Sequence, residues 1–416
     1  MAAAVTAAAP RAHAATCDSL ATNVIYVGGS TAAAPIISTI NQAFITQAAG
    51  GTPSTLIVYA NGSTQKGSCT GTLIYFADTA PTGTCAAGGC VSGIGSGTID
   101  PAGIISPAPA ACDIPDNTHL DAALSDVFGT SCAGVSALPA DIKDNFGPIQ
   151  PMVFVIPRSL PSFQQAITAE EAYFVFGFGG ASGMASPWLD STATLTHQHI
   201  RNQGSGTQQM TGRAALLPGD YINQGKMKGT NEGGTSGVIS KLSADTDPSA
   251  IGILGAADYD LHRDAFRELA FKTVGQWFAY YPDSTPTSFD KRNVRDGHYW
   301  IWGPLHIFTW MNGNATARPS SQVFLDFLSG KTPLPGTNPP LITKVMIQAH
   351  VIPQCAMHVQ RSLEVGPISK YDDPEPCDCY FEQIATGTTT CSTCTSADGT
   401  ACGGGGVCRR GFCEAK

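Results

Sequence analysis

Apolar runs alternate with helical patterns along the first part of the chain. Residues 23–27 and 55–60 are apolar and predict two buried strands, and each run ends in a loop of small residues, at 28–31 and 61–64. Pro35 predicts the first turn of a helix between these strands. Strand, loop, helix and strand form the repeating unit of a mostly parallel sheet, whose ligands bind beyond the carboxyl ends of the strands. The pattern predicts an α/β fold with candidate ligand loops after both strands.

Globular patterning returns after residue 118. The sequence "PIQPMVFVIP" predicts a strand, "SFQQAITAEEAYFVFGFGG" a helix, and "GGTSGVISKL" with "SAIGILGAADY" a helix and a strand. The run "YWIWGPLHIFTW" at 299–310 is typical of a core strand, and "SSQVFLDFLSG" predicts an amphipathic helix. The alternating charges of "HRDAFRE" at 262–268 are typical of a solvated helix face.

Two segments differ from this pattern and are rich in cysteine. Residues 66–118 are mostly Gly, Pro, Ala and Thr, which indicates an insertion stapled by disulfides, and residues 371–416 form an acidic tail with few aliphatic side chains. The chain has 14 cysteines, an even number that favours disulfides in an oxidising compartment. The pair Cys391 and Cys394 could begin a zinc site, but regular paired knuckles are absent, so we expect disulfides and no metal.

The amino terminus and the charge agree with an exported protein. An alanine-rich run precedes an A-x-A cleavage pattern at 12–14, which predicts a signal peptide over residues 1–14 and a periplasmic, extracellular or cell-surface location. The apolar runs are too short or too polar to span a bilayer. A net charge of -9 disfavours nucleic acid as a partner. We expect a soluble monomer without a cofactor.

The tetrapeptide Gly-Ser-Gly-Thr occurs twice, at 95–98 and 204–207. Prolines follow the first copy and exclude a sustained helix there, whereas a helical pattern follows the second. Free backbone N–H groups at a helix start, together with the hydroxyls of Ser205 and Thr207, can bind an oxyanion. Arg201 can add a bidentate guanidinium. The second copy is therefore the candidate site, and nearby His197 and His199 are expected to be exposed side chains at its rim.

Four motifs occur in one order: "GGSTAAAP", "YANGST", "LSD" and "RNQGSGT". This order, from about residue 23 to 353, resembles the substrate-binding proteins of phosphate ABC importers, the PstS-like periplasmic binding proteins. The resemblance implies a type II fold of two α/β lobes joined by two crossover strands, which closes on phosphate by hinge bending. It also implies an ABC permease as partner. The site residues it implies are Thr31, Ala32, Ser63, Asp126, Arg201, Ser205, Gly206 and Thr207.

The implied organisation is a first lobe over 15–150, a second lobe over 151–298, a return to the first lobe over 299–354, and the tail. The chain has Asn202 and Gln203 where relatives often carry an acidic residue, and the insertion and tail are foreign to the family. Two alternatives remain on the same scaffold. One is a surface or matrix adhesion protein without a transport role, and the other is a secreted phosphomonoesterase; the binding protein is favoured over both.

Overall fold

The computed structural model describes residues 15–60, 67–78, 89–96, 111–160, 165–183, 194–336, 341–395, 402–403 and 406–415. Within these ranges the main sheet has 13 strands. Helices pack against it, so the predicted α/β class is confirmed. The predicted signal peptide lies outside the described residues. Short 3-10 helices occur at Cys17–Ser19, Gly129–Ser131, Gly179–Ser182 and Gln354–Ala356.

The first part of the chain builds one half of the sheet. Its elements are β1 (Asn23–Gly29), α1 (Ala34–Gln47), β2 (Thr55–Tyr59), α2 (Ser68–Ala77), β3 (Val91–Ser96), β4 (Ala111–Thr118) and β5 (Ala122–Ser125). β1 lies between β2 and β5 and pairs in parallel with both. Pro35 lies in the first turn of α1, as the sequence predicts. The described parts of the predicted insertion belong to this half, because α2 packs against β1 and β5 while β3 and β4 extend the sheet at its edge.

The next elements lead into the second half of the molecule. They are β6 (Ile142–Pro157), β7 (Ala166–Thr168), α3 (Ala169–Gly177), β8 (Gln198–Ile200), α4 (Gly206–Ala214), α5 (Gly219–Asn223), β9 (Thr230–Asn231), α6 (Thr235–Ser243), β10 (Ile251–Gly255), α7 (Ala256–Asp260) and β11 (Phe266–Lys272). α3 begins later than the sequence pattern suggests, because Thr168 and Glu171 form a capping box directly after β7.

The chain then returns to the first half. Its elements there are α8 (Arg292–Arg295), β12 (Trp302–Asn312), β13 (Ala315–Thr316), α9 (Pro319–Leu328) and α10 (Ile342–Gln348). Phe324 and Phe327 of α9 pack in one apolar core with residues of α1, β1 and β2, as the amphipathic pattern predicts. The phenyl rings of Phe44 and Phe327 meet edge to face at 5.3 Å.

Two adjacent segments connect the halves. The first part of β6 pairs with β12, whereas its last residues pair with β10 and β11 in the other half. The return path runs beside it, since Pro151 is opposite Trp302 and the Met152 N–H donates to the carbonyl of Ile301 at 2.9 Å. The halves therefore meet as two lobes joined by two crossover segments, which agrees with the fold class predicted from the sequence.

The carboxy-terminal segment contains β14 (Val359–Arg361), β15 (Ile368–Lys370), α11 (Asp378–Thr386), β16 (Val407–Arg409) and β17 (Phe412–Glu414). β14 and β15 form an antiparallel hairpin, hereafter the hairpin 359–370. α11 does not stand apart from the lobes, because Phe381 is buried in the same apolar cluster as the strands of the second lobe. Arg295 binds Asp378, and His358 lies between Asp378 and Asp296.

The disulfides divide the described cysteines into two groups, one before residue 133 and one after residue 354. Every bridge among the described residues joins cysteines of the same half of the sequence: 17–112, 69–132, 355–377, 379–391, 394–408 and 402–413. The 355–377 bridge ties the tail to the return segment, so the tail is covalently fixed to the lobes at its base.

Candidate functional site

Asp126 lies directly after β5 and is only 5% exposed. The Ser30 hydroxyl donates to its Oδ1 at 2.5 Å, and the Ser68 hydroxyl donates to its Oδ2 at 3.1 Å. The Asp126 N–H donates in turn to Ser68 Oγ at 3.1 Å. The first lobe thus holds one buried carboxylate between two buried serines.

The parallel strands explain why these residues meet. Ser30 follows β1 and Asp126 follows β5, and neighbouring parallel strands end at the same edge of the sheet. Ser68 begins α2, which lies close to β1 because two glycines face each other. A Cβ built on Gly71 would lie 2.3 Å from the Cα of Gly29, so no larger residue fits at this contact.

Arg201 comes from the second lobe, directly after β8, and is 8% exposed. Its Nη1 donates to Thr235 Oγ1 at 2.7 Å, while its buried Nε has no hydrogen-bond partner among the described residues. A buried guanidinium N–H without a partner is costly, and such groups are often satisfied by a ligand or water. This donor is the first indication that the site is built to bind something.

The first turn of α4 completes the arrangement. Ser205 is its N-cap residue but makes no side-chain cap, so the first N–H groups of the helix are left for another acceptor. A Cβ on Gly206 would lie 2.4 Å from Ser68 Oγ and 2.8 Å from Asp126 Oδ2. The helix start of the second lobe therefore faces the serine and carboxylate of the first lobe, with the positive end of its dipole nearest.

The electrostatics of the site are those of a buried charge cluster. Burial raises the pKa of Asp126, and its hydrogen bonds to Ser30 and Ser68 and the charge of Arg201 oppose that rise. Burial also raises the pKa of Asp258 to about 6, against the charge of Arg201. Arg201 thus faces two carboxylates from different elements.

The site is enclosed by a seam between the lobes. The Cys69 N–H donates to the carbonyl of Gly204 at 2.9 Å, directly joining α2 to the loop before α4. A groove of ≈ 570 Å³ adjoins this seam, lined mainly by small and amide side chains that include Thr70, Asn202 and Asn223. Cys69 and Gly204, the residues of the hydrogen bond, also line the groove.

The structure brings some of the predicted site residues together at the buried site and others not. Asp126 and Arg201 lie at the same site as the start of α4, where Ser205 and Thr207 are buried. Thr31 has an exposed side chain, and the Ala32 N–H donates to Ser30 Oγ at 3.1 Å. Ser63 lies outside the described residues.

Sequence reasoning missed two residues, Ser30 and Ser68. Ser30 is adjacent to the predicted Thr31. Ser68 follows Gly67 at the start of a helix, a signal that was present but lay in a segment interpreted as an insertion.

Two other sequence interpretations require correction. Residues 262–268 do not form a solvated helix, because β11 begins at Phe266 and Glu268 is 1% exposed with neither carboxylate oxygen hydrogen-bonded within the described chain. Burial raises the pKa of Glu268 to about 8. Its neighbours include Lys291, whose Nζ lies 2.7 Å from Asp260 and 3.0 Å from Asp283. His199 is also buried rather than exposed, between Glu232 and Asp245.

Metal binding finds no support at the cysteines. Two groups of the described residues bring potential ligand atoms within 4.8 Å of one another: Cys394 with Cys402 and Cys413, and Asp78 with Cys90 and His119. Every cysteine in both groups is disulfide-bonded, so its sulfur is not available as a thiolate ligand.

In the described part of the chain, no helix is long and apolar enough to cross a membrane.

Comparison with known proteins gives structural matches only. No protein-family model and no curated protein matches the chain. An ABC-type phosphate transport receptor from Vibrio cholerae is 13% identical, with 79% of this chain and 99% of that one covered and a TM-score of 0.45. PstS from Borrelia burgdorferi is 15% identical, with coverage of 80% and 98% and a TM-score of 0.38. The OxyR regulatory domain from Pseudomonas aeruginosa is 8% identical, with coverage of 74% and 96% and a TM-score of 0.36.

Proposed function

We propose that this chain is a binding protein that encloses a protonated tetrahedral oxyanion, hydrogen phosphate, between its two lobes. The observation that carries the proposal is the placement of the buried Asp126 carboxylate near the start of α4 and near Arg201, whose buried Nε has no hydrogen-bond partner in the described part of the chain. Arginine and helix N–H groups supply donors to an oxyanion, and a carboxylate supplies an acceptor for a proton that the anion carries.

The ligand's own proton distinguishes phosphate from other anions. An ionised carboxylate only accepts hydrogen bonds, so Asp126 favours an anion with a hydroxyl group over sulfate, which has none at neutral pH. The disulfides favour an oxidising compartment outside the cytoplasm. Delivery of the captured phosphate to an ABC-type permease is the physiological role we assign to this site, on the motif order given above.

Calorimetry with phosphate tests the proposal. Arg201→Ala is expected to weaken phosphate binding by about 10- to 150-fold, because a charge-assisted hydrogen bond contributes about 1.5–3 kcal/mol. Arg201→Lys keeps the positive charge but loses the bidentate guanidinium, so its phosphate affinity is expected to lie between those of the parent and the alanine variant.

Ser96→Ala, in the first Gly-Ser-Gly-Thr copy, and Lys331→Ala, at an exposed lysine, are the matched controls and should leave affinity unchanged. Equal effects of Arg201→Ala and Ser96→Ala, or no phosphate binding by the parent, would reject the proposal.

A further inference from the structure

The hairpin 359–370 inserts a carboxylate between the lobes from outside both of them. Glu364 lies in the loop that joins β14 to β15, and its Oε2 accepts a hydrogen bond from the Phe128 N–H at 3.0 Å. Its Oε1 is buried and has no hydrogen-bond partner within the described residues. Phe128 is two residues from Asp126, so this contact fixes the loop that carries the site carboxylate.

The other side of Glu364 faces the second lobe and the crossover. A Cβ built on Gly303 would lie 3.5 Å from Glu364 Oε1 and 3.0 Å from the methyl carbon of Met210, a residue of α4. Burial raises the pKa of Glu364, and the charges of Arg361 and of Arg213, another residue of α4, are among the influences that oppose that rise. Glu364 therefore lies where the Asp126 loop, β12 and α4 meet.

The hairpin is anchored firmly at this position. Arg361 is 5% exposed, its guanidinium lies 3.9 Å from the centre of the Trp302 ring, and its Nη1 donates to the carbonyl of Trp300 at 3.0 Å. Trp300 Nε1 donates to the carbonyl of Val365 at 3.2 Å. The disulfide between residues 355 and 377 closes the segment that carries the hairpin. These contacts hold the hairpin, and with it Glu364, in a fixed position relative to the two lobes.

We propose that Glu364 is a positioning residue of the anion site, which holds the Asp126 loop against α4 and slows exchange of the bound anion. The proposal rests on the proposed function, since the anion is taken to be phosphate. The same α4 supplies the helix start at the site, so withdrawal of the hairpin frees both walls of the site to separate. The hairpin then limits how fast phosphate leaves, in addition to the contacts that phosphate makes itself.

The release rate of radiolabelled phosphate from the full chain tests this role. Glu364→Ala is expected to speed release by about tenfold, the effect of losing one buried hydrogen bond. Glu364→Gln keeps an acceptor for the Phe128 N–H and is expected to release phosphate within about threefold of the parent rate. Leu363→Ala, at a neighbouring residue that is 61% exposed, is the control and should change nothing.

Hydrogen exchange of the Cys69 amide, which bridges the lobes, provides a readout that needs no phosphate. It is expected to be faster in Glu364→Ala than in Glu364→Gln. If the parent binds no phosphate, the proposed function fails, but faster exchange still supports the positioning role. Equal release rates and equal exchange in Glu364→Ala and Leu363→Ala would overturn that role.

Should Glu364→Ala fail to fold, Trp300→Phe removes the N–H that donates to Val365 and part of the ring that the Arg361 guanidinium contacts. It is expected to change release and Cys69 exchange in the same direction, to a smaller extent, and parent-like values of both would count against the proposal.

Discussion

Glu268→Gln is expected to stabilise the protein at neutral and alkaline pH. The pKa of Glu268 rises from 4.5 to about 8 on burial, so the folded chain keeps this group protonated over a range in which the unfolded chain ionises it. The free energy of unfolding therefore falls as the pH rises from 4.5 to about 8, by about 1.4 kcal/mol per pH unit. At pH 7 the cost is about 3 kcal/mol. Glutamine cannot ionise and escapes this cost.

The expected change is measurable by differential scanning calorimetry. A chain of 416 residues has an unfolding entropy near 0.9 kcal/mol per kelvin, so about 3 kcal/mol raises the melting temperature by about 3–4 °C. The melting temperatures of Glu268→Gln and the parent should differ by that much more at pH 7 than at pH 4.5. Leu363→Ala, at a leucine that is 61% exposed, changes no titratable group and is the control, expected to differ from the parent equally at both pH values. A difference between Glu268→Gln and the parent that is the same at both pH values would refute the reasoning.

Three further outcomes are expected. Asp126→Asn places an NH2 donor where sulfate meets only acceptors, so calorimetry should show tighter sulfate binding at little or moderate cost to phosphate; unchanged sulfate affinity would remove Asp126 as the selective group. The pKa of His358 is raised to about 9 by its two carboxylate partners, so the stability it adds is complete below pH 6.5 and lost as the pH rises through 9; His358→Gln should lower the melting temperature at pH 6 and hardly at pH 10, and equal losses would contradict the ion pairs. Replacing Cys355 and Cys377 by serine removes a disulfide that closes a loop of 22 residues. Unfolding in guanidinium chloride should show a free energy of unfolding lower by about 3 kcal/mol. No loss of free energy would indicate that the tail is independent of the lobes.

Several strands and helices could be predicted from the sequence because they carry a clear period, whereas their arrangement in two lobes was implied by the resemblance. The apolar runs that became β1 and β2 end in small-residue loops, and the proline of α1 marks its first turn. Asp126 was implied by the order of the four motifs, and Arg201 by its place beside the second Gly-Ser-Gly-Thr. In the structure each directly follows a strand, where parallel topology concentrates ligand residues.

Other features depend on contacts that local pattern does not contain. Residues 262–268 alternate in charge as an exposed helix would, yet Glu268 is buried beside ions that lie up to 23 residues further along the chain. Ser68 lies in a stretch whose composition resembles a linker, although α2 brings it to Asp126. Glu364 bonds a residue 236 positions away, and no periodicity in either segment indicates that contact.

The glycine contact between α2 and β1 has a consequence for how this site can vary. Gly71 and Gly29 carry no atom that could bind an anion, yet they let α2 approach closely enough for Ser68 to reach Asp126. In a library of single substitutions, changes at both positions should therefore weaken phosphate binding as changes at the site residues do, although neither glycine is itself a site residue. A homologue that replaces Gly71 must have moved the helix, and its serine, away from the carboxylate, whereas a side chain at Gly29 would meet the carbonyl of Leu124 in β5. The absence of side chains at two positions is thus as much a signature of this site as the presence of Arg201.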